Sequence, residues 1–108
     1  MTTVTKLDNY QDLAATTAVY PTEKALEYLS LGLAAEVGEL TGKLAKWYRK
    51  DGTYPREDIL DELGDCLWFI SEFARQHNRK LSDLAQNNLD KLASRKARGT
   101  LKGNGDNR

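Results

Sequence analysis

Two long stretches of apolar residues at spacings of three and four constrain the fold of this chain more than any other feature. The first stripe comprises Leu26, Leu29, Leu33, Val37, Leu40, Leu44 and Trp47, and the second comprises Ile59, Leu60, Leu63, Cys66, Leu67, Ile70, Phe73 and Ala74. This spacing is typical of amphipathic α-helices. Because no stretch alternates with the period of two that strands show, we predict an all-α fold.

Capping and turn residues predict where these helices begin and end. Thr22 is predicted to cap the first long helix, and Ser82 to cap a last helix. Gly52 is predicted to take the left-handed conformation that ends the first long helix, and Pro55 prevents its continuation. A shorter helix is expected over residues 7–17.

The chain length predicts one domain, which we place at residues 1–98, followed by a flexible tail at residues 99–108. A helix over residues 24–50 would span roughly 40 Å, which leaves it few neighbours in a chain of this size. We therefore expect a helical bundle completed by oligomerisation, as a homodimer or a homotetramer.

Charge and composition exclude several classes of partner. The 16 basic and 16 acidic residues give a formal net charge of zero, so neither nucleic acid nor an acidic membrane surface is an expected partner. No apolar run approaches the roughly 18 residues of a membrane span, and the first residues contain no apolar signal core. Because Cys66 is the only cysteine, we expect a reducing, cytoplasmic location.

Two acidic pairs lie inside the predicted long helices: Glu36 with Glu39, and Glu62 with Asp65. Each pair flanks an apolar stripe, so antiparallel packing of the two helices would bring four carboxylates together. Their mutual repulsion would be relieved by a hard divalent cation, above all magnesium or manganese, for which carboxylate oxygens are suitable ligands. The pairs therefore predict a metal site between the helices.

Acidic residues beside an apolar stripe are more often the solvated border of a helix, where repulsion costs only about 0.2–0.5 kcal/mol per pair. Against this alternative, a mid-helix glycine accompanies each pair, at Gly38 and at Gly64. Glycine inside a helix costs roughly 1 kcal/mol relative to alanine. The two glycines therefore predict that another group approaches the backbone closely beside each pair.

The segments GLAAEVGELTGKLAKWYRKDG and DELGDCLWFISEFA resemble the MazG-like nucleotide pyrophosphohydrolases of the all-α NTP pyrophosphatase superfamily. The closing segment NNLDKLASRKARG is similar to the ending of that family, and the resemblance covers residues 28–99. It implies magnesium-dependent hydrolysis of (deoxy)nucleoside triphosphates to a monophosphate and pyrophosphate, as house-cleaning of the nucleotide pool, with manganese as a substitute metal. The residues that it assigns as metal ligands and catalytic groups are Glu36, Glu39, Glu62 and Asp65.

One position departs from the family pattern, because Ala35 stands where many members carry a further acidic residue. The number of bound metals is therefore open, as is the group that activates the water, for which Glu39 is a candidate. Phosphates require cations, and a base can stack on an aromatic ring. The candidate substrate-binding residues are Lys43, Trp47, Phe69, Asn88, Lys91 and Arg95.

Three alternatives to this function follow from the same residues. A phosphoribosyl-ATP pyrophosphohydrolase of the same superfamily would share the metal site and differ in its substrate. A non-catalytic interaction bundle would carry the acidic flanks as ordinary surface. A di-iron carboxylate bundle fits poorly, because it requires Glu-x-x-His motifs and the only histidine, His77, follows Glu72 by five residues.

Overall fold

The computed structural model describes residues 3–108 and confirms the all-α class. Four helices follow in chain order: α1 at Leu7–Ala15, α2 at Ala25–Tyr48, α3 at Arg56–Gln76 and α4 at Leu81–Ala97. Within residues 3–108 there is no strand. The first two residues of the predicted domain lie outside the described residues.

Helices α2 and α3 form the long antiparallel pair on which the rest of the chain is built. Near one end of the pair Gly32 of α2 faces Phe69 of α3, and further along Lys43 of α2 contacts Glu62 of α3. The apolar stripes predicted from the sequence lie along these two helices. Of the helices described here, none is both long enough and apolar enough to cross a membrane.

Both helix caps predicted from the sequence are wrong. Thr22 is instead the first residue of a short 3₁₀ helix, Thr22–Lys24, that precedes α2, and no side chain caps α2. Ser82 is the second residue of α4, where its backbone N–H and its hydroxyl donate to the carboxylate of Asp8 at 2.9 and 2.7 Å. The first turn of α4 is therefore capped from α1.

The left-handed residue that ends α2 is Lys50, with φ of 67°, instead of the predicted Gly52. The N–H of Asp51 donates to the carbonyl of Lys46 at 3.0 Å, which closes the turn typical of a left-handed helix end. Gly52 also has a positive φ, but it lies in the turn that follows. Pro55 directly precedes α3, in agreement with its predicted role as a boundary.

No atom of the described residues makes the close approach that was predicted at Gly38 and Gly64. Both glycines are exposed, and a Cβ added to either would meet no atom of the described residues within 4 Å. The close contact occurs at Gly32, where a Cβ would overlap the ring of Phe69. Gly32 thus lets α2 and α3 approach each other at the buried end of the pair.

A buried glutamine on α1 fixes the path of the chain between α3 and α4. The Nε2 of Gln11 donates to the carbonyls of Ser71 and Arg79, at 3.3 and 3.0 Å. Its Oε1 accepts from the N–H of Leu81, the first residue of α4, at 3.1 Å. Helix α4 contacts α1 and α3, and it makes no contact with α2.

Candidate metal centre

An acidic cluster lies between α2 and α3 and joins three of the four predicted ligands. One carboxylate oxygen from each of Glu36, Glu62 and Asp65 lies within 4.8 Å of the other two. Glu62 is buried, Glu36 is half-buried and Asp65 is exposed at the rim. The Oε2 atoms of both glutamates are buried and have no hydrogen-bond partner within residues 3–108. The cluster therefore contains buried acceptors that lack a donor.

The pKa of Glu36 is raised to about 7. The main cause is the contact with Glu62, to which Glu36 can donate only when it is protonated. Partial burial and the nearby charges of Glu39 and Asp65 raise the pKa further. A cluster that holds a proton at neutral pH is one in which negative charge is in excess.

A lysine supplies part of the missing positive charge. The Nζ of Lys43 lies 2.8 Å from Oε1 of Glu62, and this contact holds the pKa of Glu62 below its ordinary value. The same contact raises the pKa of Lys43. Lys43 occupies only one oxygen of Glu62, so the second oxygen, which is buried, has no hydrogen-bond partner among the described residues.

The fourth predicted ligand, Glu39, is exposed and lies outside the group of three close oxygens. It is near enough for its charge to act on the pKa of Glu36. We therefore place Glu39 at the open edge of the cluster, where its role as a ligand or as a base stays a prediction.

The donor set suits a hard divalent cation. All three clustered groups are carboxylates, and the two unpaired Oε2 atoms are acceptors that a cation would satisfy. A bound cation would also replace the proton on Glu36, because coordination requires the ionised carboxylate. Glu36, Glu62 and Asp65 could hold such an ion, with Glu39 as an additional ligand from the rim.

A cleft beside the cluster brings together two of the predicted substrate-binding residues. Lys43 and Trp47 line this cleft, which has a volume of about 260 Å³ and is also lined by the connection between α2 and α3. The ring of Trp47 is half-buried and packs perpendicular to that of Tyr54, with centroids 5.0 Å apart. The cleft therefore offers a cation and an aromatic surface next to the carboxylates.

The structure places Phe69 elsewhere, in the core. Phe69 is 9% exposed, and its ring packs against Trp68, with centroids 5.0 Å apart, and against Gly32. In this chain the ring supports the packing of α2 on α3 and presents no open face. We therefore leave Phe69 out of the proposed substrate contacts.

The predicted residues of α4 form a separate basic surface. Asn88 and Lys91 line an open groove of about 670 Å³ together with Arg79, while Lys91 and Arg95 both contact Asp106 in the tail. In residues 3–108, no hydrogen bond or ion pair connects this surface to the acidic cluster. The prediction from sequence missed Asp106, which carries no periodicity or motif that marks it.

Comparison with known proteins identifies a family and a relative. The family model described as the MazG nucleotide pyrophosphohydrolase domain matches residues 24–99. The gene 37 protein of Mycobacterium phage L5 is 42% identical over 112 residues, which cover 94% of this chain and 98% of that protein. No solved structure matches significantly. The acidic cluster, Lys43 and the basic residues of α4 all lie within the matched range.

Proposed function

Because this chain belongs to the MazG nucleotide pyrophosphohydrolase domain family, we propose that it hydrolyses (deoxy)nucleoside triphosphates to a monophosphate and pyrophosphate with magnesium. The observation that carries the proposal is the cluster of Glu36, Glu62 and Asp65 with its two unpaired buried oxygens. House-cleaning of the nucleotide pool is the proposed role. The cytoplasmic location expected from the single Cys66 stays a prediction.

In the proposed mechanism the protein mainly positions charge. Glu36, Glu62 and Asp65 would hold the cation, which when bound neutralises phosphate oxygens and lowers the pKa of water. Lys43 holds one oxygen of Glu62 and so keeps that carboxylate ionised and oriented. With the phosphates at the cluster, the adjoining cleft would place the base near Trp47. Most of the catalysis of phosphoryl transfer comes from such positioning and electrostatics.

We expect the first products of turnover to be a nucleoside monophosphate and pyrophosphate, in a reaction that chelation of magnesium stops. Anion-exchange chromatography of reactions without added pyrophosphatase, over a panel of canonical and modified triphosphates, measures this directly. Orthophosphate and a diphosphate appearing together would reject the assignment. Phosphoribosyl-ATP as one substrate of the panel separates the related enzyme class, and no turnover of any substrate would favour a non-catalytic bundle.

We also propose that the chain functions as a homodimer or homotetramer. Its accessible surface of 8145 Å² exceeds the roughly 6,100 Å² of a compact monomer of this mass. The radius of gyration of 16.7 Å likewise exceeds the roughly 13 Å expected for a compact chain of this length. Exposed apolar side chains continue at heptad spacing along α3, namely Leu60, Leu63, Leu67 and Ile70. A second copy would cover this face.

Light scattering at micromolar concentration is expected to give at least twice the chain mass of 12.2 kDa. Replacing Leu63 by lysine should shift the protein toward the monomer, because a charge would enter the proposed interface. The matched control is Val19→Lys, since Val19 is 94% exposed in the connection before α2. A wild-type mass near 12.2 kDa would contradict the oligomer.

A further inference from the structure

The last residues of the chain turn back onto α4 and cover its cations. Gly99, with φ of 71°, ends the helix, and the N–H of Thr100 donates to the carbonyl of Arg95 at 2.8 Å. Further along, Oδ1 of Asp106 lies 3.3 Å from Nη2 of Arg95 and 3.4 Å from Nζ of Lys91. Arg95 also donates to the backbone carbonyl of Asp106 at 3.1 Å. Arg98 likewise donates to the backbone carbonyl of Arg108 at 2.8 Å. The tail is therefore held by the Asp106 carboxylate on two cations and by two backbone carbonyls.

The two partners of this contact differ in burial. The side chain of Arg95 is 7% exposed, and Asp106 is the only carboxylate that pairs with it within residues 3–108. Asp106 itself is 81% exposed, so solvent screens the pair and the docking is weak. Hydrogen bonding from Arg95 and the charge of Lys91 lower the pKa of Asp106, so the carboxylate is anionic at neutral pH.

The docked carboxylate resembles a phosphate oxygen in its chemistry. An anion held by a guanidinium and an ammonium group is the usual arrangement for binding phosphate. The cleft under Asp106 shares Lys91 with the open groove that Arg79 and Asn88 also line, so the cations extend beyond the reach of one carboxylate. Two further carboxylates, Asp83 in the groove and Asp90 in the cleft, line the same surface. A polyphosphate would contact the same cations and carry more charge than the tail.

We propose that residues 99–108 form a strap in which Asp106 occupies the Lys91–Arg95 cation pair until a polyphosphate displaces it. The inference goes beyond the proposed function, which places the phosphates of the substrate at the acidic cluster, because it assigns a second polyphosphate-binding surface to α4. A tethered carboxylate competes at an effective concentration of roughly millimolar, and a weak exposed pair at this concentration lowers ligand affinity by about two- to fivefold.

The test is calorimetric titration of the full chain with sodium tripolyphosphate at low ionic strength and without divalent metal. Without metal the acidic cluster repels the anion, so the measurement reports on α4 whether or not the chain is a pyrophosphohydrolase. We expect Asp106→Asn to bind about two- to fivefold more tightly than the wild type. The control Asp90→Asn removes the same charge from the cleft that Asp106 also lines, but Asp90 accepts a hydrogen bond from Gln86, so a smaller change is expected.

Added to Asp106→Asn, the change Lys91→Gln should cancel the gain in affinity. The proposal is wrong if the wild type and Asp106→Asn bind tripolyphosphate with equal affinity. It is also wrong if Asp106→Asn shows no detectable binding. In the wild type, tripolyphosphate should also speed amide hydrogen exchange in residues 99–108, and unchanged exchange counts against displacement. If the variant binds more tightly while no triphosphate is turned over, the strap stands and the proposed function fails.

Discussion

Replacing Asp65 by asparagine is expected to lower magnesium-dependent turnover by at least about a hundredfold, because loss of even an indirect metal contact costs 10- to 100-fold. Asp65 supplies the exposed carboxylate of the three that lie within 4.8 Å of one another. Asparagine has nearly the same shape but no charge, so the helical fold should persist. The measurements are pyrophosphate release at limiting magnesium and circular dichroism of the same preparation.

Asp61→Asn is the matched control for this prediction, because Asp61 is an exposed carboxylate of α3 outside the cluster. It should retain turnover close to that of the wild type. The decisive comparison is with Glu36→Gln, which removes the charge of the cluster residue that α2 supplies. If Asp65→Asn and Glu36→Gln both turn over substrate like the wild type at limiting magnesium, the acidic metal site is wrong.

Replacing Glu36 by glutamine is expected to stabilise the metal-free protein at pH 8 and to change its stability little at pH 5. The folded-state pKa of about 7 lies above the ordinary 4.5, so the folded protein holds an extra proton between these values. The stability that this proton contributes is fully present below about pH 4.5 and is lost as the pH rises through 7. Glutamine at position 36 is uncharged at every pH, like the protonated glutamate, and its amide can still donate to Glu62.

Thermal unfolding in the presence of a chelator measures this effect. At a half-buried carboxyl, solvent screening reduces the expected gain in unfolding free energy at pH 8 to about 1 kcal/mol. This gain would raise the melting temperature by roughly 4–8 °C. Saturating magnesium should reverse the order at pH 8, because only the wild type keeps the complete ligand set. Asp61→Asn is again the control. An equal gain in melting temperature for Glu36→Gln at pH 5 and at pH 8 would show that ionisation of Glu36 does not destabilise the metal-free protein.

The sequence was sufficient for the fold class and for the placement of the long helices. The predicted helix over residues 24–50 is observed as Ala25–Tyr48, and the helix predicted over residues 7–17 as Leu7–Ala15. These predictions hold because apolar periodicity reflects the burial of one helix face, which neighbouring residues in the chain encode together. The acidic pairs could be predicted for the same reason, because residues three apart in a helix lie on the same face.

Only the tertiary structure decided how these helices are joined and which candidate residues meet. Asp8 caps α4 from 74 residues away in the chain, and no local pattern around Ser82 reveals it. Phe69, predicted to face the substrate, is buried because Gly32 lets α2 pack against its ring. Lys91 is held by Asp106 and not by the acidic cluster. Such contacts depend on how whole faces pack, whereas sequence spacing reports only which face a residue occupies.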